Sequence, residues 1–336
     1  MITKTNVVTM KQNAEFDDPQ LEVMNGSTEQ MRDARAIAEV AALNTNYLPS
    51  LLAKSRGWCE VVIGSRSTLE NSCQAIAIEL DLAVSRVRSY QEELAQMDDE
   101  EDQEDAVSGG NARLARAIKA TGEEASKLES ALSNMSDHFD PAKTKAYWLE
   151  FASGNEQLIA DIQQLTEARD VFSAQRKVIT NAMATLEAVG LMSIGEDAIL
   201  TAEKIAGMGM QPPKMALVQM ALDQMKKTLA DAQAAFSYLS MVAERDGLRK
   251  KIDAKSDAIT VLEKSNLLVI ERMKFLTAVH TMDEQRKLYR AEFKKVVSSV
   301  NLFLTINAAA TMEDADASLQ FINNASQLVS YLSAIR

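Results

Sequence analysis

Side chains able to do chemistry are sparse in this sequence. Its 336 residues include two histidines, His138 and His280, and two cysteines, Cys59 and Cys73. The two isolated histidines are read as making no site, and no H-E-x-x-H, G-x-S-x-G, P-loop or dinucleotide fingerprint occurs. A di-iron bundle needs E-x-x-H pairs facing inward, and none is present. The chain therefore reads as a non-enzyme with no metal and no cofactor. Cys59 and Cys73 would lie about four turns apart on one helix, too far for a disulfide, so the fold is expected to carry free thiols.

What stands out instead is a surface-active composition between Met183 and Met225. Seven of the 17 methionines, four of the 12 glycines and the Pro-Pro pair fall there. Flexible thioethers repack readily in new surroundings. Gly190, Gly195, Gly207 and Gly209 weaken helix where a hinge must open, and Pro212 and Pro213 mark the turn. On a helical wheel, residues Ile194 to Ala206 separate Glu196, Asp197, Glu203 and Lys204 from Ile194, Ala198, Ala202 and Ile205. Beyond the Gly207–Pro213 turn, Met215 to Leu222 is uncharged, and Asp223, Lys226 and Lys227 gather on one side. Two arms of about 17 residues would each be roughly 25 Å long, close to the hydrocarbon thickness of a bilayer. A helix lining an oligomeric water-filled pore need be apolar only on its lipid side. The same composition also suits a methionine-rich hairpin that simply closes the end of a bundle.

The elements positioning this segment are helices. Prolines at 19, 49, 141, 212 and 213 leave long proline-free stretches, and proline breaks helix interiors. Leu158, Ile162, Leu165, Arg169, Phe172, Arg176, Ile179, Met183 and Leu186 step by four and three residues, with seven of the nine apolar. The same stepping picks out Leu248, Ile252, Lys255, Ile259, Leu262, Asn266, Val269, Met273 and Leu276. Both are coiled-coil seams. Asn266 either fixes register within its seam or faces solvent. The first helix is predicted to start near Ser27, which has capping-box spacing to Gln30. Asp140-Pro141 marks another helix start. The acidic run Asp98–Asp105 with Ser108-Gly109-Gly110 is predicted to be a solvated turn, or a docking patch for a basic partner. Trp58 and Trp148 read as core anchors. No strand-like alternation of useful length occurs, so the expected fold is all-α with five to seven helices.

Composition narrows function further. Hydrophobic residues make up 46% and aromatic residues 5%, while 48 alanines favour helix and close helix approach. A net charge of -12 without a basic stripe argues against a nucleic-acid partner. No window reaches the roughly 18 uncharged apolar residues of an ordinary transmembrane helix. Met1 to Asp18 shows no signal-peptide h-region, so the chain is expected to be synthesised soluble without a signal peptide and released by lysis or a non-classical route.

The polar N-terminal arm, the flanking heptad helices and the Gly/Met-rich hairpin with Pro212-Pro213 at its turn resemble the alpha-xenorhabdolysin binary toxins. These are α-helical pore-forming toxins of the cytolysin-A and haemolysin-BL type. With no conspicuous long apolar segment, the chain looks like their B component. The resemblance implies an elongated helical bundle or coiled coil with a central amphipathic hairpin, the foot, at one end. It implies a flexible arm over 1–26, a long-helix bundle from 27–185 and 226–336, and an inserted foot over 186–225. It implies co-assembly with an A-component subunit on target-cell membrane lipid into a hetero-oligomeric ring. Leu191, Met192, Ile194, Ile199, Met208, Met210, Met215, Leu217, Val218 and Met220 would contact the membrane and be sheltered before assembly. The alternatives are a non-lytic helical-bundle adaptor and a secreted effector that binds partner helices.

Overall fold

The computed structural model describes residues 15–190, 195, 198–229 and 236–335. Among the described residues there are eight α-helices and no strand. They are α1 (Leu21–Thr45), α2 (Pro49–Leu94), α3 (Glu100–Asn134), α4 (Pro141–Ala188), α5 (Ala202–Gly207), α6 (Pro212–Leu229), α7 (Tyr238–Asn307) and α8 (Ala315–Ala334). Pro49, Pro141 and Pro212 each open a helix, where a missing N–H costs nothing and the fixed φ is already helical. Short acids cap three starts. Asp99 Oδ1 accepts from the Glu101 amide at 2.9 Å, Asp140 Oδ1 from Ala142 at 2.9 Å, and Asp314 Oδ1 from Asp316 at 3.0 Å.

The eight described helices exceed the five to seven expected, and two further expectations are corrected. Helix α1 begins at Leu21, with Gln20 at its cap, so residues 21–26 of the expected arm are helical and Ser27 is buried inside the helix. Phe16 and Asp17 are also tied down. The Phe16 ring lies 5.5 Å from that of Tyr331, whose hydroxyl donates to Asp17 O at 2.8 Å. The acidic run is likewise no turn but the opening of α3, where Glu100, Glu101 and Asp102 occupy the first turn and favour the positive end of the helix dipole. Gly109 and Gly110 continue that helix because neighbours fill the space a side chain would take. A Cβ on Gly109 would lie 3.0 Å from Tyr90 Cζ, and one on Gly110 would lie 2.5 Å from Met312 Cγ.

The chain divides into two compact units, one running to Trp148 and resuming at Lys274, the other Leu149–Met273. In the first, α2 is the central helix. Its buried positions Ser55, Cys59, Val62, Ser65, Leu69, Ser72, Ile76, Leu80, Ala83 and Val87 follow a heptad rhythm rich in small residues. Small side chains permit close helix approach, and Phe275, Tyr289, Phe293, Phe303 and Phe321 fill the remaining space. Cys59 and Cys73 are free and buried; desolvation pushes the Cys59 thiol up to about 11.

A polar clamp fixes the α3–α4 connection. Asp283 and Arg286 of α7 pair at 2.6 Å with only 3% and 4% of their side chains exposed. Arg286 Nη1 also donates to Met135 O at 3.0 Å, and its guanidinium lies 4.8 Å from the centre of the Trp58 ring. Trp58 Nε1 donates to Asp137 Oδ2 at 2.6 Å, and Lys54 pairs with Asp137 Oδ1 at 3.1 Å. His280 belongs to this packing. It shares a 2.7 Å hydrogen bond with Thr144 Oγ1, and burial lowers its pKa below the usual histidine value. Trp58 is a core residue, and Trp148 is half-buried with Nε1 donating to Thr277 Oγ1 at 3.1 Å.

In the second unit α4 and α7 run antiparallel. Arg272 lies over Phe151 at 5.7 Å and Lys251 over Phe172 at 5.6 Å, so the same three-heptad interval separates the contacts on both helices. All nine seam positions on α4 are buried or half-buried, as are the seam positions on α7. Asn266 is one of them. It is half-buried, and its Oδ1 is enclosed without a hydrogen-bond partner, so it does not face solvent.

Candidate functional site

The methionine-rich segment folds onto the neighbouring ends of α4 and α7. Ile179, Met183 and Leu186 of α4, Leu200, Ile205 and Met210, then Val218, Leu222 and Met225 of α6, and Phe236, Met241 and Leu248 form one buried cluster. The α6 contributions at 218, 221, 222 and 225 follow helical spacing, which is why that face is the one that turns inward.

The connections explain how short elements achieve this. Gly190, Gly195 and Gly209 have φ of 84°, 89° and 66°, a left-handed conformation that glycine adopts without strain. Gly207 closes α5 and does not have positive φ. Thr201 caps α5, its Oγ1 accepting from Lys204 N at 3.3 Å. This cap sets the start of α5, which has six residues and ends at Gly207, and residues 198–201 are not helical. Within the range expected to form one amphipathic helix, Ile194–Ala206, residues 198–201 are instead a non-helical approach and Ala202–Gly207 are helical; Ile194, Glu196 and Asp197 lie outside the described residues. That approach is held by the Leu200 amide, which donates to Phe236 O at 2.8 Å. Pro212 and Pro213 do not form the turn; it is made by 208–211, and the prolines are the first residues of α6. Helix α6 has 18 residues, about 27 Å at 1.5 Å per residue, and matches the second predicted arm.

The ten residues expected to be sheltered divide. Val218 and Met210 are buried at 0% and 7% exposure, and Met208 and Met215 pack half-buried against the cluster. Ile199, Leu217 and Met220 are exposed, at 47%, 37% and 55%, which corrects the expectation for them. The physical reason is helical phase: Leu217 and Met220 flank Val218 and point away from the cluster that Val218 enters. Leu191, Met192 and Ile194 lie outside the described residues. Leu200, Ile205, Leu222 and Phe236 are core members the sequence reading did not place in the sheltered set. Phe236 lies past the composition shift, and only its being one of few aromatic residues could have flagged it.

Beside this core a cleft of about 900 Å³ lies between α4 and α6, lined by Val171, Phe172, Val178, Ala216 and Met220, with Asp223 and Lys227. Among the described residues no cluster of histidine, cysteine and acidic side chains could hold a metal ion, and no helix is long and apolar enough to cross a membrane. What the site offers is apolar surface, part stored in a methionine-rich core and part displayed on α6, joined through glycines at positive φ.

No family model matches the chain, and no curated protein matches it. Solved structures do. PaxB from Photorhabdus luminescens aligns with TM-score 0.78 at 14% identity, over 95% of this chain and 96% of PaxB. XaxB from Xenorhabdus nematophila aligns with TM-score 0.74 at 16% identity, over 95% of this chain and 97% of XaxB. A chain of the XaxAB pore complex from the same organism aligns with TM-score 0.61 at 19% identity, over 96% of this chain and 100% of that one. The chain shares the all-α bundle fold of these proteins along nearly its whole length.

Proposed function

We propose that the protein is the B-type subunit of a two-component α-helical pore-forming cytotoxin, assembling with an A-type subunit on a target membrane into a ring-shaped pore. The observation that carries this reading is the shared fold over 96% of the chain with a chain of the XaxAB pore complex. The activity is one of shape change and needs no catalytic group or cofactor. The protein acts after release, at the membrane of another cell.

In this reading residues 186–225 form the membrane-contacting foot. Ile199, Leu217 and Met220 are ready to meet acyl chains, and Met208, Met210, Met215 and Val218 follow when the hairpin leaves its core; Leu191, Met192 and Ile194 are assigned to the same membrane contact. Gly190, Gly195, Gly207 and Gly209 and the Pro212-Pro213 pair act as hinges. An apolar side chain gains about 25 cal/mol per Å² of area removed from water, whether protein or lipid receives it. The exchange is thus close to balanced, and a modest difference supplied by the partner drives it. With a net charge of -12 the chain has no pull toward anionic lipid, so the A-type subunit makes first contact with the membrane.

The test is haemoglobin release from erythrocytes by the purified protein, by a cognate A-type subunit, and by their mixture. The mixture should lyse cells, with little release by either alone. Full lysis by this chain alone, or none by the mixture, contradicts the proposal.

A further inference from the structure

Helix α7 carries a second heptad stripe beside the one that meets α4. Ala254, Ala258, Val261, Ser265 and Leu268 follow one another at steps of four, three, four and three. With Ile252 and Ile259 set at a, these five occupy c and g, about a quarter-turn or more from the a/d seam. Ala254, Val261 and Leu268 are exposed, Val261 at 61% and Leu268 at 44%, while Ala258 and Ser265, nearer the seam, are half-buried. The part of helix α4 alongside it has no matching stripe, since its c and g positions there include Gln157, Asp161 and Gln164.

We propose that this stripe docks against the same stripe of a second copy of the chain, in an antiparallel two-fold pair. Charge complementarity selects this partner and this orientation. The f positions that border the stripe are Lys250, Asp257, Lys264 and Glu271, one per heptad and alternating in sign. In an antiparallel pair built on c and g, f positions meet f positions of the other helix. In a parallel pair they would meet d positions, which are occupied in the α4 seam. Only one antiparallel register sets every charge against its opposite: Lys250 against the second copy's Glu271, and Asp257 against its Lys264, each twice by symmetry. A slip of one heptad either way sets Asp257 against Asp257, or Lys264 against Lys264.

That same register layers Val261 on the second copy's Ala258, and Ala254 on its Ser265. Small residues opposite larger ones let the helix axes come within about 8–9 Å. Because the face is self-complementary, the contact closes as a two-fold dimer and does not propagate. The inference concerns the chain before any assembly with another subunit and does not depend on the proposed toxin role.

Two experiments test it on the full-length protein. Ala254→Cys and Ser265→Cys proteins, each with one new thiol, are oxidised separately and mixed; Cys59 and Cys73 are buried, and the unsubstituted protein is the control. A disulfide-linked dimer should form at least about tenfold faster in the mixture than in either protein alone, because each position meets only the other across the axis. In sedimentation velocity, Lys250→Glu/Lys264→Glu should weaken self-association about tenfold or more, and adding Asp257→Lys/Glu271→Lys should restore it. Lys250, Asp257 and Lys264 are exposed and Glu271 is half-buried, and circular dichroism checks that each variant keeps its fold. A protein that stays monomeric up to its solubility limit, or cross-links no faster in the mixture, overturns the proposal, including the case in which only a different subunit binds this face.

Discussion

The backbone amide of Leu200 and the carbonyl of Phe236 meet at 2.8 Å, tying the chain entering α5 to the chain entering α7. Both side chains are buried in the methionine-rich cluster, at 6% and 4% exposure. This is the point at which the hairpin is fastened to the helices that carry it.

Phe236→Ala should therefore loosen the hairpin. Removing a buried phenylalanine costs about 3–5 kcal/mol. Hydrogen exchange should quicken through α5 and α6, while amides of α2 and α8 keep their protection. Uniform loss of protection across the chain would show that Phe236 supports more than this cluster.

Adjacent residues of α6 should respond oppositely to one substitution. Leu217→Asp places a charge on an exposed position and should leave the melting temperature unchanged while abolishing lysis with an A-type subunit. Val218→Asp buries a carboxylate at a position with 0% exposure and should unfold the second unit. Thermal melts and haemoglobin release read both outcomes, and full lysis by a folded Leu217→Asp protein would remove α6 from the membrane-contacting set.

Gly110 tests the close contact that defeats sequence reading. Gly110→Val should cost about 1–3 kcal/mol, because its side chain would collide with Met312. Pairing Gly110→Ala with Met312→Ala should recover part of the loss through better helix propensity, worth up to about 1 kcal/mol. Chemical denaturation measures both, and a stable single Gly110→Val variant would mean that the α7–α8 connection yields freely.

Much of this architecture was legible because heptads announce themselves: Leu158 to Leu186 and Leu248 to Leu276 have the seam burial their spacing predicts. Asp140-Pro141 gave a helix start for a local reason, the aspartate cap and the missing N–H. The misreadings have distant causes. Gly109 and Gly110 look like a turn until Tyr90 and Met312 are placed beside them. Ser27 and Gln30 have capping-box spacing, yet tertiary packing carries α1 back to Leu21. Within the candidate site, composition singles out the segment that supplies the methionine-rich cluster but cannot tell Leu217 from Val218, because which of two neighbouring apolar residues turns inward depends on where α4 and Phe236 lie. The α5 boundary depended on a single threonine cap.

Acid should weaken the clamp at the α3–α4 connection. Desolvation raises the Asp137 pKa, but hydrogen bonds from Trp58 and Lys54 outweigh it and leave the group below its usual value. A carboxylate depressed in the folded state stabilises above its unfolded pKa, about 3.9, and that contribution fades as pH falls through the lower, folded value. The stability gap between the native protein and Asp137→Asn should be constant from about pH 7 to pH 5 and shrink below about pH 4. A gap that widens on acidification would reverse the assignment.

The central claim is that the hairpin exchanges its shelter for lipid. Met220→Cys, at an exposed position of α6, can carry an environment-sensitive fluorophore, read in the soluble protein and after assembly with an A-type subunit on liposomes. A blue-shifted emission quenched by nitroxides on the acyl chains is the predicted result. Emission that remains that of an aqueous probe, untouched by those nitroxides in a complex that conducts, would contradict it.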